Sequence, residues 1–403
     1  MKSPKFLDRT TPPHISTLIL LAGLAALTMN IFLPSLPGMA RYFDAPYALM
    51  QLSVALYLAL SALLQIVIGP ISDRYGRRIV LLWSLVLFLL ATVGTLFAPN
   101  ATVFLVFRMA QAVIASGMVL SRAVVRDMVP DAQAASMIGY VTMGMSIVPM
   151  IGPVIGGMLD QWIGWQANFT LLLVLGVATL ALVWADLGET ATLRKVSLGD
   201  QIRQYPTLLR SQRFWGYVLC AAFASGSFFA YLGGAPYVGT VVFGLTPSGV
   251  GALFALTAIG YAAGNFIAGR FSVRVGMNKM VLMGSIATVV GLGLLAALTL
   301  MGVHSAYVFF GFTMLVGLGN GMTLPNANAG MLSIKPELAG TASGLGGAIT
   351  IGGGAALAAL AGAILPPGSD ETPLVLLMLA SAVASLLSIM AVIRRARVIG
   401  LNA

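Results

Sequence analysis

The chain is 403 residues long, 59% hydrophobic and only 8% charged, with a formal net charge of +10. Soluble domains carry about 25% charged residues, so a water-soluble globular fold of this length is excluded. The apolar residues fall instead in runs of about 20, each long enough as a helix to cross roughly 30 Å of hydrocarbon.

Twelve such runs are expected as membrane helices. Six lie at 15–37, 48–69, 79–98, 102–123, 134–158 and 167–186, and six more at 214–240, 246–268, 279–301, 306–330, 340–365 and 373–393. The first is too long for a signal-peptide core, lacks a small-residue cleavage site and contains Pro34 and Pro37, so it reads as a retained span. After the second run comes Gly69-Pro70-Ile71-Ser72-Asp73-Arg74-Tyr75-Gly76-Arg77-Arg78. Its glycines suit a tight reversal between close-packed helices. Asp73 is expected to pair with Arg122 or Arg126 at the inner end of the fourth run, or to face the positive N-terminal end of the eleventh. Such contacts would latch one conformation and break when the inner side opens, with Arg74, Arg77 and Asp127 in the same group.

Arg108 lies about seven residues into the fourth run. Keeping a charge at the bilayer centre costs at least ~2.5 kcal/mol, so an intramembrane arginine is a functional-site candidate facing a cavity. Gln111 follows it at helical spacing. In the fifth run Gly144, Pro149, Gly152, Pro153, Gly156 and Gly157 fall close together. Two prolines kink a helix, and Gly152 with Gly156 makes a small face that another helix can approach.

The polar stretch 187–213 is the only long inner loop and divides the chain into 1–186 and 214–403. The second unit repeats the turn as Gly269-Arg270-Phe271-Ser272-Val273-Arg274-Val275-Gly276, with valine in place of the acid. Gly, Ser, Arg and Gly recur at the same offsets, which points to duplication of a six-helix unit.

With the N-terminus in the cytoplasm, 20 of 22 lysines and arginines fall inside; only Arg41 lies outside and Arg108 within the membrane. Both termini are therefore expected to be cytoplasmic. The net charge follows from this topology and from anionic lipid, without a nucleic-acid partner. All twelve carboxylates fall in or near loops. Two histidines outside the spans and one cysteine supply neither metal ligands, a cofactor site nor a nucleophile–base pair at membrane depth, so an enzyme is not expected. Candidate substrate contacts are Phe32, Tyr57, Met118, Tyr140, Met143, Phe228, Tyr231 and Tyr261, with Asn30, Arg108, Gln111, Asn265 and Asn320 as polar partners.

The turn around Asp73 resembles the signature of the major facilitator superfamily, and the fifth run resembles its antiporter motif. Asn30-Ile31-Phe32-Leu33-Pro34-Ser35-Leu36-Pro37, Gln51-Leu52-Ser53, Gln65-Ile66-Val67-Ile68-Gly69-Pro70, Arg108-Met109-Ala110-Gln111-Ala112 and Arg122 to Asp127 extend the likeness. Together they are similar to the bicyclomycin and chloramphenicol resistance branch of the drug:proton antiporters, most densely over 27–169. The resemblance implies an all-α fold of twelve spans in two pseudo-symmetric bundles. It implies a monomer of a bacterial inner membrane that exports small amphipathic compounds by proton antiport. Two positions depart from the branch: Asn30 stands where an acid is usual, and Gln166 where an arginine is. The first leaves open an exporter or facilitator of a neutral or anionic metabolite without strong proton coupling.

Overall fold

The computed structural model describes residues 6–129, 137, 141, 148, 151–191, 205–335, 338–366 and 368–398, and they contain helices and no strand. Among the described residues eleven helices are long and apolar enough to cross a membrane. The first six elements are α1 (Ile15–Tyr42), α2 (Tyr47–Tyr75), α3 (Arg77–Leu96), α4 (Ala101–Met128), α5 and α6 (Gln166–Asp186). Of α5, the helix at 151–162 is described; apart from 137, 141 and 148, the rest of the expected run 134–158, with Tyr140, Met143, Gly144 and Pro149, lies outside the described residues. The second six are α7 (Gln212–Val242), α8 (Pro247–Val275), α9 (Met277–Leu300), α10 (Ala306–Leu332), α11 (Ala339–Ala363) and α12 (Thr372–Val398).

Local chemistry sets the starts. Asn100, Ser211 and Thr246 each accept a backbone N–H at the head of α4, α7 and α8, and Pro247 occupies the first turn of α8, where no N–H is needed. The helices overrun the apolar runs at their basic ends. Gly69 and Pro70, expected in a turn, lie inside α2. The reversal falls at Gly76, with φ +96°, and at Gly276, with φ +92°, in the repeated turn of the second unit. Only glycine takes such values freely. A Cβ at Gly76 would also overlap the Glu189 carboxylate.

Lipid-facing side chains such as Trp83, Leu90 and Phe266 are exposed and apolar, which suits hydrocarbon rather than water. Inside, α1 packs on α4 and α6, and α3 on α6; in the second unit α8 and α9 pack on α10, and α7 on α11 and α12. Between the units α2 runs along α11. Glycine lets backbones touch where α5 meets its neighbours. Gly156 abuts the Ile31 carbonyl of α1, Gly157 the Pro247 carbonyl of α8, and Gly251 of α8 the Pro153 carbonyl. Gly152 faces the Leu27 side chain.

Hydrogen bonds close the units together at the end away from the basic residues. Tyr47 Oη donates to the Gly233 carbonyl (2.5 Å), and the rings of Tyr47 and Tyr237 are 5.0 Å apart. Gln51 Nε2 donates to the Ala358 carbonyl, and Ser248 Oγ to Gln161 Oε1.

Candidate functional site

A cavity of about 280 Å³ lies between the two units. The first unit contributes Met29 and Asn30 from α1, Tyr57, Ser61 and Gln65 from α2, and Ala115 and Met118 from α4. The second contributes Ser225, Phe228 and Tyr231 from α7, Phe254, Thr257 and Tyr261 from α8, Asn320 from α10 and Ile351 from α11. The rings form a continuous wall: Phe228 stacks on Tyr261 (6.4 Å between centroids) and Tyr231 contacts Phe254 (4.9 Å). Among the described lining residues none is Asp, Glu, Lys or Arg.

The cavity thus gathers Asn30, Tyr57, Met118, Phe228, Tyr231, Tyr261 and Asn320. Arg108, Gln111, Phe32 and Asn265, expected beside them, are not among its described lining residues. Arg108 is fully buried one layer behind the wall. Its Nη1 donates to Gln111 Oε1 (2.8 Å) and its Nη2 to the Thr28 carbonyl (2.9 Å). The guanidinium lies 4.4 Å from the Phe32 ring centre and 4.1 Å from that of Tyr57, so two aromatic faces hold the cation. Gln111 Nε2 donates onward to Thr92 Oγ1 (2.8 Å). Gln111 opens a 3₁₀ turn, Gln111–Ile114, and the bonds of this polar cluster run to α1 at Thr28 and to α3 at Thr92. Asn265 spends its amide on the Tyr261 carbonyl (2.9 Å).

At the basic end the hub is Arg77. It pairs with Asp73 one helical turn back and with Asp127 of α4 (3.2 Å), and it also donates to Ser72 Oγ. Among the described residues no ion pair joins Asp73 to Arg122 or Arg126. The reversal at Gly76 swings Arg77 back over α2, so the nearer cation takes the acid. Arg74 stacks on its neighbour Tyr75 (5.4 Å).

Two acids that the sequence analysis did not single out are structural anchors. Glu189 accepts from the backbone N–H groups of Arg77 (2.8 Å) and Arg78 (3.2 Å), capping α3 from the start of the linker. Asp186 is buried and accepts from Leu7 N, His14 N and Thr17 Oγ1, tying the N-terminal segment to α6. The signal for Glu189 was an acid just past a span and opposite an arginine-rich turn.

The model of the major facilitator superfamily matches residues 18–359 and 235–400. A chloramphenicol resistance protein of Pseudomonas aeruginosa is 32% identical over 79% of this chain and 76% of its own. YdgK of Bacillus subtilis, an uncharacterized MFS-type transporter, is 30% identical over 88% of each chain. Multidrug resistance protein D of Escherichia coli is 29% identical over 87% of this chain and 88% of its own. Among solved structures, a D-xylose–proton symporter aligns with a TM-score of 0.74 at 13% identity, over 94% of this chain and 96% of that one. A bacterial homologue of the human lysosomal transporter Spinster, inward-facing and occupied, aligns with a TM-score of 0.72 at 17% identity, over 95% and 96%. Two packed helical units around an aromatic midplane cavity, the repeated Gly76 and Gly276 turns and these matches agree: the chain belongs to the major facilitator superfamily.

Proposed function

We propose that this protein exports small amphipathic compounds across a bacterial inner membrane by alternating access, drawing on the proton gradient. The observation that carries the reading is the aromatic and amide-lined cavity shared by both units and sealed at one end. Taking the basic end as cytoplasmic, with both termini there, makes the sealed end the outer one. The units 1–186 and 214–403 then rock about the linker 187–213 within a monomer, and the contacts of Tyr47, Gln51 and Gln161 break as the outer end opens. Relatives named for chloramphenicol and multidrug resistance support a drug-like solute.

The test is chloramphenicol flux in proteoliposomes with an imposed pH gradient. Protein-dependent uphill movement that collapses with the gradient supports the proposal. Flux no faster than in empty liposomes, across a panel of amphipathic drugs, overturns it. A second reading, export or facilitation of a neutral or anionic metabolite without strong proton coupling, is favoured by the absence of a carboxylate among the described lining residues. Flux that is indifferent to the pH gradient separates it from the first.

A further inference from the structure

Two asparagines on opposite sides of the cavity define what it asks of a ligand. Asn30 Nδ2 donates to the Ala26 carbonyl (2.8 Å), and Asn320 Nδ2 to the Val316 carbonyl (3.0 Å). Because a carbonyl only accepts, these bonds assign the amide atoms and leave the side-chain oxygens as the acceptors that remain. Asn320 is 1% exposed, borders the cavity, and its Oδ1 has no partner among the described residues. A buried acceptor without a donor keeps its full desolvation penalty, so a ligand N–H or O–H placed there removes a standing cost.

Charge decides the rest. The walls are aromatic, and aromatic faces attract cations. Yet the face of Tyr57 is already held by Arg108, whose charge has no carboxylate partner among the described residues. No acid among the described lining residues offsets it. A second cation would enter a low-dielectric site next to an uncompensated like charge, and there repulsion is far less screened than in water.

We infer that the cavity selects neutral arenes bearing an N–H or O–H donor and discriminates against permanent cations, with Asn320 Oδ1 as the acceptor that reads the donor. This rests on the transport reading only for the identity of the site, because binding is measured directly. Three fluorescent probes share one ring system: dansylamide, which is neutral and has N–H donors; its N,N-dimethyl sulfonamide, neutral without them; and a dansyl sulfonamide with a trimethylammonium tail.

Fluorescence titration of the purified full-length protein should give dansylamide a Kd about ten-fold or more below either of the others. Asn320→Leu should shrink the advantage over the N,N-dimethyl compound to under about three-fold, and Asn30→Asp should strengthen cation binding by about ten-fold. Equal binding of the cationic probe to wild type overturns the inference. So does an unchanged donor advantage in Asn320→Leu, or failure of all three probes to bind. If Asn320→Leu does not fold, the wild-type ranking decides alone. Tight dansylamide binding with no protein-dependent flux of any solute would instead sink the transport reading and leave this one standing.

Discussion

Replacing Gly157 with alanine is expected to drive the two units apart at their sealed end. A Cβ there would overlap the Pro247 carbonyl and stand 3.0 Å from the Ser248 Cα. Both are backbone atoms of α8, so no rotamer change relieves the overlap. Overpacking of this kind costs about 1–3 kcal/mol. The contact joins α5 to α8 across the units, so the cost falls on the sealed state and is released when that end opens. A bias of ~1–3 kcal/mol changes the ratio of states by about 5–150-fold. Gly156→Ala supplies the contrast. Its Cβ would overlap the Ile31 carbonyl of α1 within one unit, so stability should fall without a bias between states. Gly293 has nothing within 4 Å of an added Cβ and serves as the neutral control. The readout is labelling of Met118→Cys in a Cys220→Ser background by an impermeant maleimide from the side opposite the basic residues. Gly157→Ala should label faster, Gly293→Ala as the parent, and Gly156→Ala as the parent with a lower Tm. A folded Gly157→Ala protein that labels at the parent rate would refute the idea that this contact holds the end shut.

Arg108→Met should abolish most transport while leaving Tm near the parent value, because replacing a buried charge with an apolar side chain of similar volume is often neutral or stabilising. Arg108→Lys should transport poorly as well, since one ammonium does not reproduce the fork that holds both the Thr28 carbonyl and Gln111; parent-like flux in either variant would remove Arg108 from the mechanism. Arg77→Ala removes the links to Asp73 and Asp127 together and should speed hydrogen exchange near Gly76 more than Asp73→Asn does; equal effects would deny Arg77 its place as the hub. His304, in the α9–α10 loop, is held above the ordinary histidine pKa by its hydrogen bond to the Glu371 carboxylate (2.9 Å), with Asp370 adding to the effect. The tie is therefore complete below about pH 6.5 and fades as pH climbs through the raised value. Hydrogen exchange in the loop should accelerate over that rise in the parent and show no such step in His304→Asn.

The spans were legible because hydrocarbon leaves few alternatives to an apolar helix, and the turns at Gly76 and Gly276 because one motif recurs with its glycine and arginine offsets intact. The helix ends were less so. The main-chain ladder of α2 continues through Ser72-Asp73-Arg74 to Tyr75 without a run of apolar side chains to mark it. The site was readable as a set of aromatic and amide residues but not as a surface. Asn320 and Asn265 look alike in sequence, and each amide bonds the carbonyl four residues back on its own helix; only the rotation of α10 and α8 puts the first on the cavity lining and the second off it. Long-range partners such as Glu189 with the Arg77 and Arg78 amides were harder to assign, because 112 residues separate Glu189 from Arg77 and an acid just past a span does not by itself name its partner.

Arg108 shows best how composition and geometry divide the work. From sequence alone, a permanent charge inside an apolar run implies a polar cavity at that depth. The structure supplies another solution: one backbone carbonyl, one amide oxygen and two ring faces. Charge-assisted hydrogen bonds contribute about 1.5–3 kcal/mol each, and a desolvated ring contact up to about 2. Gains of that size oppose a burial penalty of several kcal/mol, so the cluster is close to neutral for folding. Leucine or methionine would fill the same space without a charge to satisfy. What the arginine adds is a positive field directly behind Tyr57, a cavity-wall residue whose ring faces the guanidinium. Tyr57 therefore carries two duties, closing the wall and standing between that field and the cavity, and the charge selectivity we infer for the cavity follows from a residue outside its lining.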